Sequence, residues 1–133
     1  MLIRFLLMAF CLSMMIASAK ANVTKGIQFY NERHESANGT SASKLNIDKA
    51  ISQFTQSITA NKSDKEAALY LLKSYYYKGE FATQYIEEKK EIFNKGKSIG
   101  EEFIEKFPNS YKLRYWYLVN LGSWAQVYGT LNA

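Results

Sequence analysis

DKAISQFTQSITANKSDKEAALYLLKSYYYKGEF, residues 48–81, contains two helical patterns separated by a polar break. Ile47, Ala50, Ile51, Phe54 and Ile58 recur at spacings of three and four, while Asp48, Lys49, Gln53 and Gln56 fall opposite them. That periodicity predicts an amphipathic helix over 46–60. Asn61-Lys62-Ser63 ends it, and Ser63 with Glu66 three residues on forms a capping box for the next helix. This second helix runs through Ala67, Ala68, Leu69, Leu71, Leu72, Tyr75 and Tyr76 to a C-terminal stop at Gly79. It is apolar around most of its circumference, which predicts packing on both sides.

Downstream, one periodic pattern extends from Phe81 to Phe107, with Tyr85, Ile86, Ile92, Phe93, Ile99, Phe103 and Phe107 on a common stripe. Gly96 and Gly100 fall on that stripe. Glycine inside a helix costs about 1 kcal/mol relative to alanine, so the pair implies either a closely approaching neighbour or a break near Gly96. Pro108-Asn109-Ser110 stops the element, and a last helix begins near Tyr111. Upstream, Val23–His34 reads as a weak helix, and the Ser/Gly/Asn/Thr-rich residues at about 35–45 read as a loop. No segment shows strand alternation, and Asn38-Gly39 lacks the apolar flanks of a hairpin. The expected fold class is all-α, built of antiparallel helix pairs.

Residues 1–21, MLIRFLLMAFCLSMMIASAKA, follow a different logic. Arg4 precedes an uncharged run from Phe5 to Ala17, and Ala19-Lys20-Ala21 supplies a small-x-small ending, the pattern of a secretory signal peptide cleaved after Ala21. The run is shorter than the roughly 20 apolar residues a membrane-spanning helix needs, so no stable anchor is expected after cleavage. Cys11 follows the bulky Phe10 rather than a small residue, which argues against lipidation. The expected location is periplasmic or secreted. A single helical-repeat domain over 22–133 is the expected organisation, since 133 residues accommodate one core.

The formal charge of the whole chain is +5. Arg4 and Lys20 would leave with the signal, so 15 basic groups would face 12 acidic ones, a net of +3 with the signs interspersed. Nucleic acid is therefore not an expected partner. One cysteine and one histidine are too few for a disulfide framework or a zinc site, and neither metal nor cofactor is expected. His34 borders the loop with no orienting acid, so a Ser-His-Asp hydrolase has no support. Glu87, Glu88 and Glu91 intermix with Lys89, Lys90 and Lys95, as on a solvated helix face. The chain reads as a non-enzyme. Asn22, Asn38 and Asn61 each open an Asn-x-Ser/Thr triplet, relevant only in a eukaryotic secretory route.

The aromatic residues carry the functional signal. All ten tyrosines lie after Ala21, and Tyr75-Tyr76-Tyr77 and Tyr115-Trp116-Tyr117 each wrap more than half a helix. Rings with a polar tip suit grooves and interfaces, although aromatic stripes at helical spacing are more often core. Asn120, set among apolar residues, needs partners for its amide. The candidate ligand- or partner-binding residues are Tyr70, Tyr77, Tyr115, Trp116, Asn120 and Trp124. Tyr115, Trp116, Asn120 and Trp124 together would line an apolar pocket.

Ala50, Phe54 and Ser57 resemble the small, aromatic and small positions in the second helix of a tetratricopeptide repeat, a unit of about 34 residues. Leu72, Tyr76 and Gly79 resemble positions of its first helix, and Phe103 and Pro108 the end of another second helix. The pattern is departed from at Lys73, at Lys62 and in the length of 81–107. EKKEIFNKGKSIGEEFIEKFPNS (88–110) and YWYLVNLGSWAQVYG (115–129) resemble the exported T-component proteins associated with TRAP transporters. That resemblance implies an α-solenoid of the tetratricopeptide type, acting as a protein-interaction module accessory to a periplasmic substrate-binding or transport system. Another protein, such as a periplasmic substrate-binding protein, is then the implied partner, and homo-oligomers are implied as well. The alternative is a carrier of a small apolar or organic-acid ligand in a Tyr/Trp-lined pocket. From Tyr115 onward the chain has no charge, unlike a polar terminal helix of a repeat array. Such a helix is expected to lie in a groove, to pair with another chain or to lack its intended cover, the last as in a product truncated at its C-terminus.

Overall fold

A computed structural model describes residues 2–129, with the backbone alone for residues 2–12, 15 and 16. Cys11 and the Asn132–Ala133 end therefore lie outside the described side chains. Five helices follow one another: α1 Leu2–Asn31, α2 Lys44–Ala60, α3 Lys65–Phe81, α4 Ile86–Lys106 and α5 Tyr111–Tyr128. Among the described residues the only β-type pairing is an isolated bridge between Asn38 and Ser41, closing a turn in which Gly39 has φ +61°. The all-α expectation is met. Among the described residues, no helix is long and apolar enough to cross a membrane.

Consecutive helices pack pairwise, and α3 also touches α1 and α5. α3 is thus the central element, which accounts for an apolar circumference that a surface helix would not tolerate. Its Ala67, Ala68, Leu71 and Leu72 join Phe54, Ile58, Phe103 and Leu113 in one buried cluster. Three of the helix pairs share a device: a ring of one helix fills the space where a glycine of its neighbour lacks a Cβ. Phe54 lies against Gly26, Phe93 against Gly79, and Tyr117 against Gly100.

Several boundaries differ from the sequence expectation. Gly79 does not stop α3, which continues to Phe81. The glycine is buried beneath the Phe93 ring and serves packing there, at the expense of helix propensity. The cap of α3 is Asp64 rather than Ser63: its carboxylate accepts the Ala67 N–H at 3.0 Å. The pattern assigned to 81–107 divides between the last residue of α3 and α4, with residues 82–85 between them. Tyr85 and Ile86, placed on the buried stripe by periodicity, are 78% and 50% exposed, because the stripe begins only after the chain has entered α4. α4 then runs unbroken through Gly96 and Gly100, both of which are buried.

The weak helix assigned to 23–34 is the last part of a longer one. α1 is continuous through Ala21, and on its packed face Ala19 and Val23 are both buried. The Ser57 hydroxyl donates to Asp64 Oδ2 at 2.7 Å and lies 3.0 Å from the Ala19 carbonyl oxygen, joining α1, α2 and the cap of α3. At the other end of the same antiparallel pair, Asn46 donates to the Glu32 carbonyl at 3.0 Å. Lys44–Glu88 ties α2 to α4, and Lys78–Asp48 ties α3 to α2.

Candidate binding cleft

The N-terminal halves of α3 and α5 converge with the Asn109–Ser110 turn on an open cleft of about 720 Å³. The geometry follows from helix periodicity. On α3 the buried positions 67, 68, 71 and 72 face the core, which turns Glu66, Leu69, Tyr70 and Lys73 toward the cleft. On α5, Leu113 is buried while Lys112 and Trp116 reach the same cleft from the opposite side. Pro108 separates α4 from α5, and Ser110, itself buried, begins the new helix.

Lys73 lies between the two aromatic walls, its Nζ 4.6 Å from the Tyr70 ring centroid and 5.8 Å from that of Trp116. Both rings are held by aromatic neighbours. Tyr70 stacks on Phe54 and takes Tyr30 edge-on, each at 5.5 Å. Trp116 meets Tyr76 at 5.8 Å and Tyr115 edge-on at 5.5 Å. Loss of water around the ammonium lowers the Lys73 pKa from the ordinary lysine value, and the positive charges of Lys112 and Arg33 push the same way. Burial in turn raises the Tyr30 phenol. Lys65 and Lys112 complete the basic lining, with Glu66 as its carboxylate.

The six residues singled out from sequence separate in space. Tyr70 and Trp116 share the cleft. Tyr77 lies elsewhere, packed on Phe81 at 5.2 Å and 4.9 Å from the Arg33 guanidinium, with its hydroxyl donating to the Arg33 carbonyl at 3.3 Å. Tyr115 is 61% exposed and meets only the edge of Trp116 from outside. Asn120 is fully buried, donating to the Leu72 carbonyl at 3.1 Å and the Trp116 carbonyl at 2.8 Å, so its amide ties α5 to α3. Its Oδ1 has no hydrogen-bond donor and rests where a Cβ on Gly96 would stand. Trp124 sits a further turn along α5, against Tyr128 at 4.9 Å and Lys97 at 5.4 Å. The four-residue pocket expected from α5 alone is replaced by a cleft to which α5 contributes one of the four.

Sequence reasoning missed the basic lining. Lys73 stood out only as a departure from a repeat pattern, Lys112 only as one of two charges at the start of the last helix, and Lys65 not at all. The available signal was the spacing of Lys65 and Lys73, about two turns apart on α3, together with the scarcity of charge on α5. Among the described residues no group of three His, Cys, Asp or Glu side chains is placed to hold a metal ion. His34 is exposed, Glu87 pairs with Lys90, and Glu88 pairs with Lys44. No family model, curated protein or solved structure matches this chain.

Proposed function

We propose that this chain is an exported, non-catalytic binding protein whose α3–α5 cleft receives a small organic ligand. The convergence of Tyr70 and Trp116 on one cleft, with Lys73 between them, carries the reading. Volumes of 300–1,000 Å³ lined by aromatic side chains and a few polar groups are typical of small-molecule sites, and about 720 Å³ falls in that range. Bracing of both rings keeps the walls apart without an occupant, so little ordering is needed on binding. Heteronuclear NMR titration with small aromatic and aliphatic compounds tests this. The Trp116 indole signal shifts saturably while that of Trp124 stays in place; a panel that leaves Trp116 unmoved overturns the proposal.

The tetratricopeptide-type solenoid belongs to the same reading. Its support is the contact order, in which consecutive helices pair and α3 alone bridges to both α1 and α5. Such a stack places α1, α3 and α5 along one surface, and the cleft lies on two of them. Export rests on the signal pattern of residues 1–21.

A protein-interaction role, as accessory to a periplasmic substrate-binding or transport system, is the second reading. The observation that favours it is the stripe Tyr111, Tyr115 and Leu118 on α5, which is 76%, 61% and 57% exposed. Positions i, i+4 and i+7 lie on one helix face, and rows of exposed apolar residues mark contact surfaces. Leu118→Glu separates the two readings: it weakens association with a protein partner or a second copy and leaves small-ligand titration at Trp116 unchanged.

A further inference from the structure

We propose that the ligand of the α3–α5 cleft carries an anionic oxygen head group on a flat or apolar body, with the head held by Lys73, Lys65 and Lys112 and the body laid against Trp116 and Tyr70. The inference rests on the small-ligand reading and adds the chemical class. Three lysines line the cleft against one carboxylate, Glu66. Lys44, Lys78, Lys90, Lys97 and Lys106 each pair with an Asp or Glu within 2.8 Å, and what sets the cleft apart from the other unpaired lysines of the surface is the convergence of three on one concave site between aromatic rings. Among the described residues, none of the three cleft lysines is joined to a carboxylate.

Lys73 is the most constrained of them. Its ammonium stands over the Tyr70 ring and within 5.8 Å of the Trp116 ring centroid, partly stripped of water near two like charges, Lys112 from α5 and Arg33 from the turn after α1. Repulsion of this kind raises the free energy of the charged form. An oxyanion entering the cleft reverses the sign of that local field, and its hydrogen bonds to ammonium groups are charge-assisted. The ring faces supply the complementary half of the site. Tyr70 and Trp116 offer area for a planar or aliphatic body, and their quadrupoles hold the ammonium at the junction between the two halves. A fully polar anion would leave the rings unused, and a neutral apolar ligand would leave three cations without a counter-charge.

Isothermal titration of the chain with phenylacetate, phenyl phosphate, phenylacetamide and inorganic phosphate tests the class, with the Trp116 indole NMR signal reporting location. At least one of the two aromatic anions binds at Trp116 about tenfold or more tightly than the neutral amide, the difference expected for a charge-assisted hydrogen bond. The ratio of phenylacetate to phenyl phosphate distinguishes a carboxylate head from a phosphate head. Lys73→Met, which keeps the stem and removes the charge, abolishes most of that preference while the weaker amide binding persists. Equal binding of amide and acids overturns the anionic head and leaves the small-ligand cleft standing. Inorganic phosphate binding as tightly as phenyl phosphate overturns the role of the rings. Failure of every probe to move Trp116 overturns the cleft itself.

Discussion

Asn120 and Lys73 show two different uses of a polar side chain in an apolar setting. The Asn120 amide is fully buried and donates to carbonyls on α3 and α5, which makes it a cross-brace beneath the cleft. Asn120→Leu removes both bonds and leaves the Leu72 carbonyl short of a donor, at a cost of about 1–3 kcal/mol. Gly96→Ala forces a methyl group onto the same amide and destabilises by about 1–3 kcal/mol through overpacking. Urea denaturation of the two variants measures both. Lys73 behaves oppositely, because its lowered pKa means the native state disfavours its charge. Between that lowered value and the ordinary lysine value of 10.5 the unfolded chain holds more protons than the native one, so this group's contribution to stability rises with pH through that window. Below it the charged Lys73 is a standing penalty. Lys73→Met is therefore expected to fold with no loss of stability at neutral pH while losing anion affinity. Anion affinity in the parent chain declines with rising pH sooner than an ordinary lysine would dictate.

Among the elements, α1 and α2 carry the clearest consequences. α2 was readable from its periodicity to within two residues at its start, and its buried residues are Ile47, Ala50, Phe54, Ser57 and Ile58. Phe54 is fully buried, fills the space over Gly26 and stacks behind Tyr70. Phe54→Ala is expected to cost about 3–5 kcal/mol, and to loosen the Tyr70 wall of the cleft as well. α1 presents a different case, since the signal pattern proposed for residues 1–21 would divide it at Ala21 while the backbone runs on as one helix. Cleavage there would act on the chain before folding and would remove the buried Ala19 together with its contact to Ser57. Intact-mass measurement of the exported protein is expected to show residues 1–21 removed. The remaining Val23, Ile27 and Tyr30 still pack on the core, so a chain beginning at Asn22 is expected to retain helical circular dichroism and a cooperative melt.

At the scale of the whole molecule, α5, which carries no charge from Tyr115 onward, leaves Tyr111, Tyr115 and Leu118 on the surface. Self-association through this face is expected to appear as a mass that rises with concentration in light scattering, and Leu118→Glu is expected to suppress it. A mass independent of concentration in the parent chain removes that role. What the sequence determined by itself was local: helical period, the polar break at 61–63 and the proline stop at 108. Each of these is set by neighbours within one or two turns, where side-chain spacing and backbone propensity act directly. The limits of that reading appear at Gly79 and Tyr85. A glycine reads as a stop until a ring from another helix, Phe93, is known to lie on it, and a stripe continues on paper across a turn that ends it in space. The cleft lay wholly beyond local reading. Tyr70 and Lys73 are separated from Trp116 by more than forty residues, and only the packing of α5 against α3 brings them together. Tertiary structure also sorted the aromatic residues, sending Trp124 away and Trp116 inward, because a helix has several faces and only its neighbours determine which of them is left open.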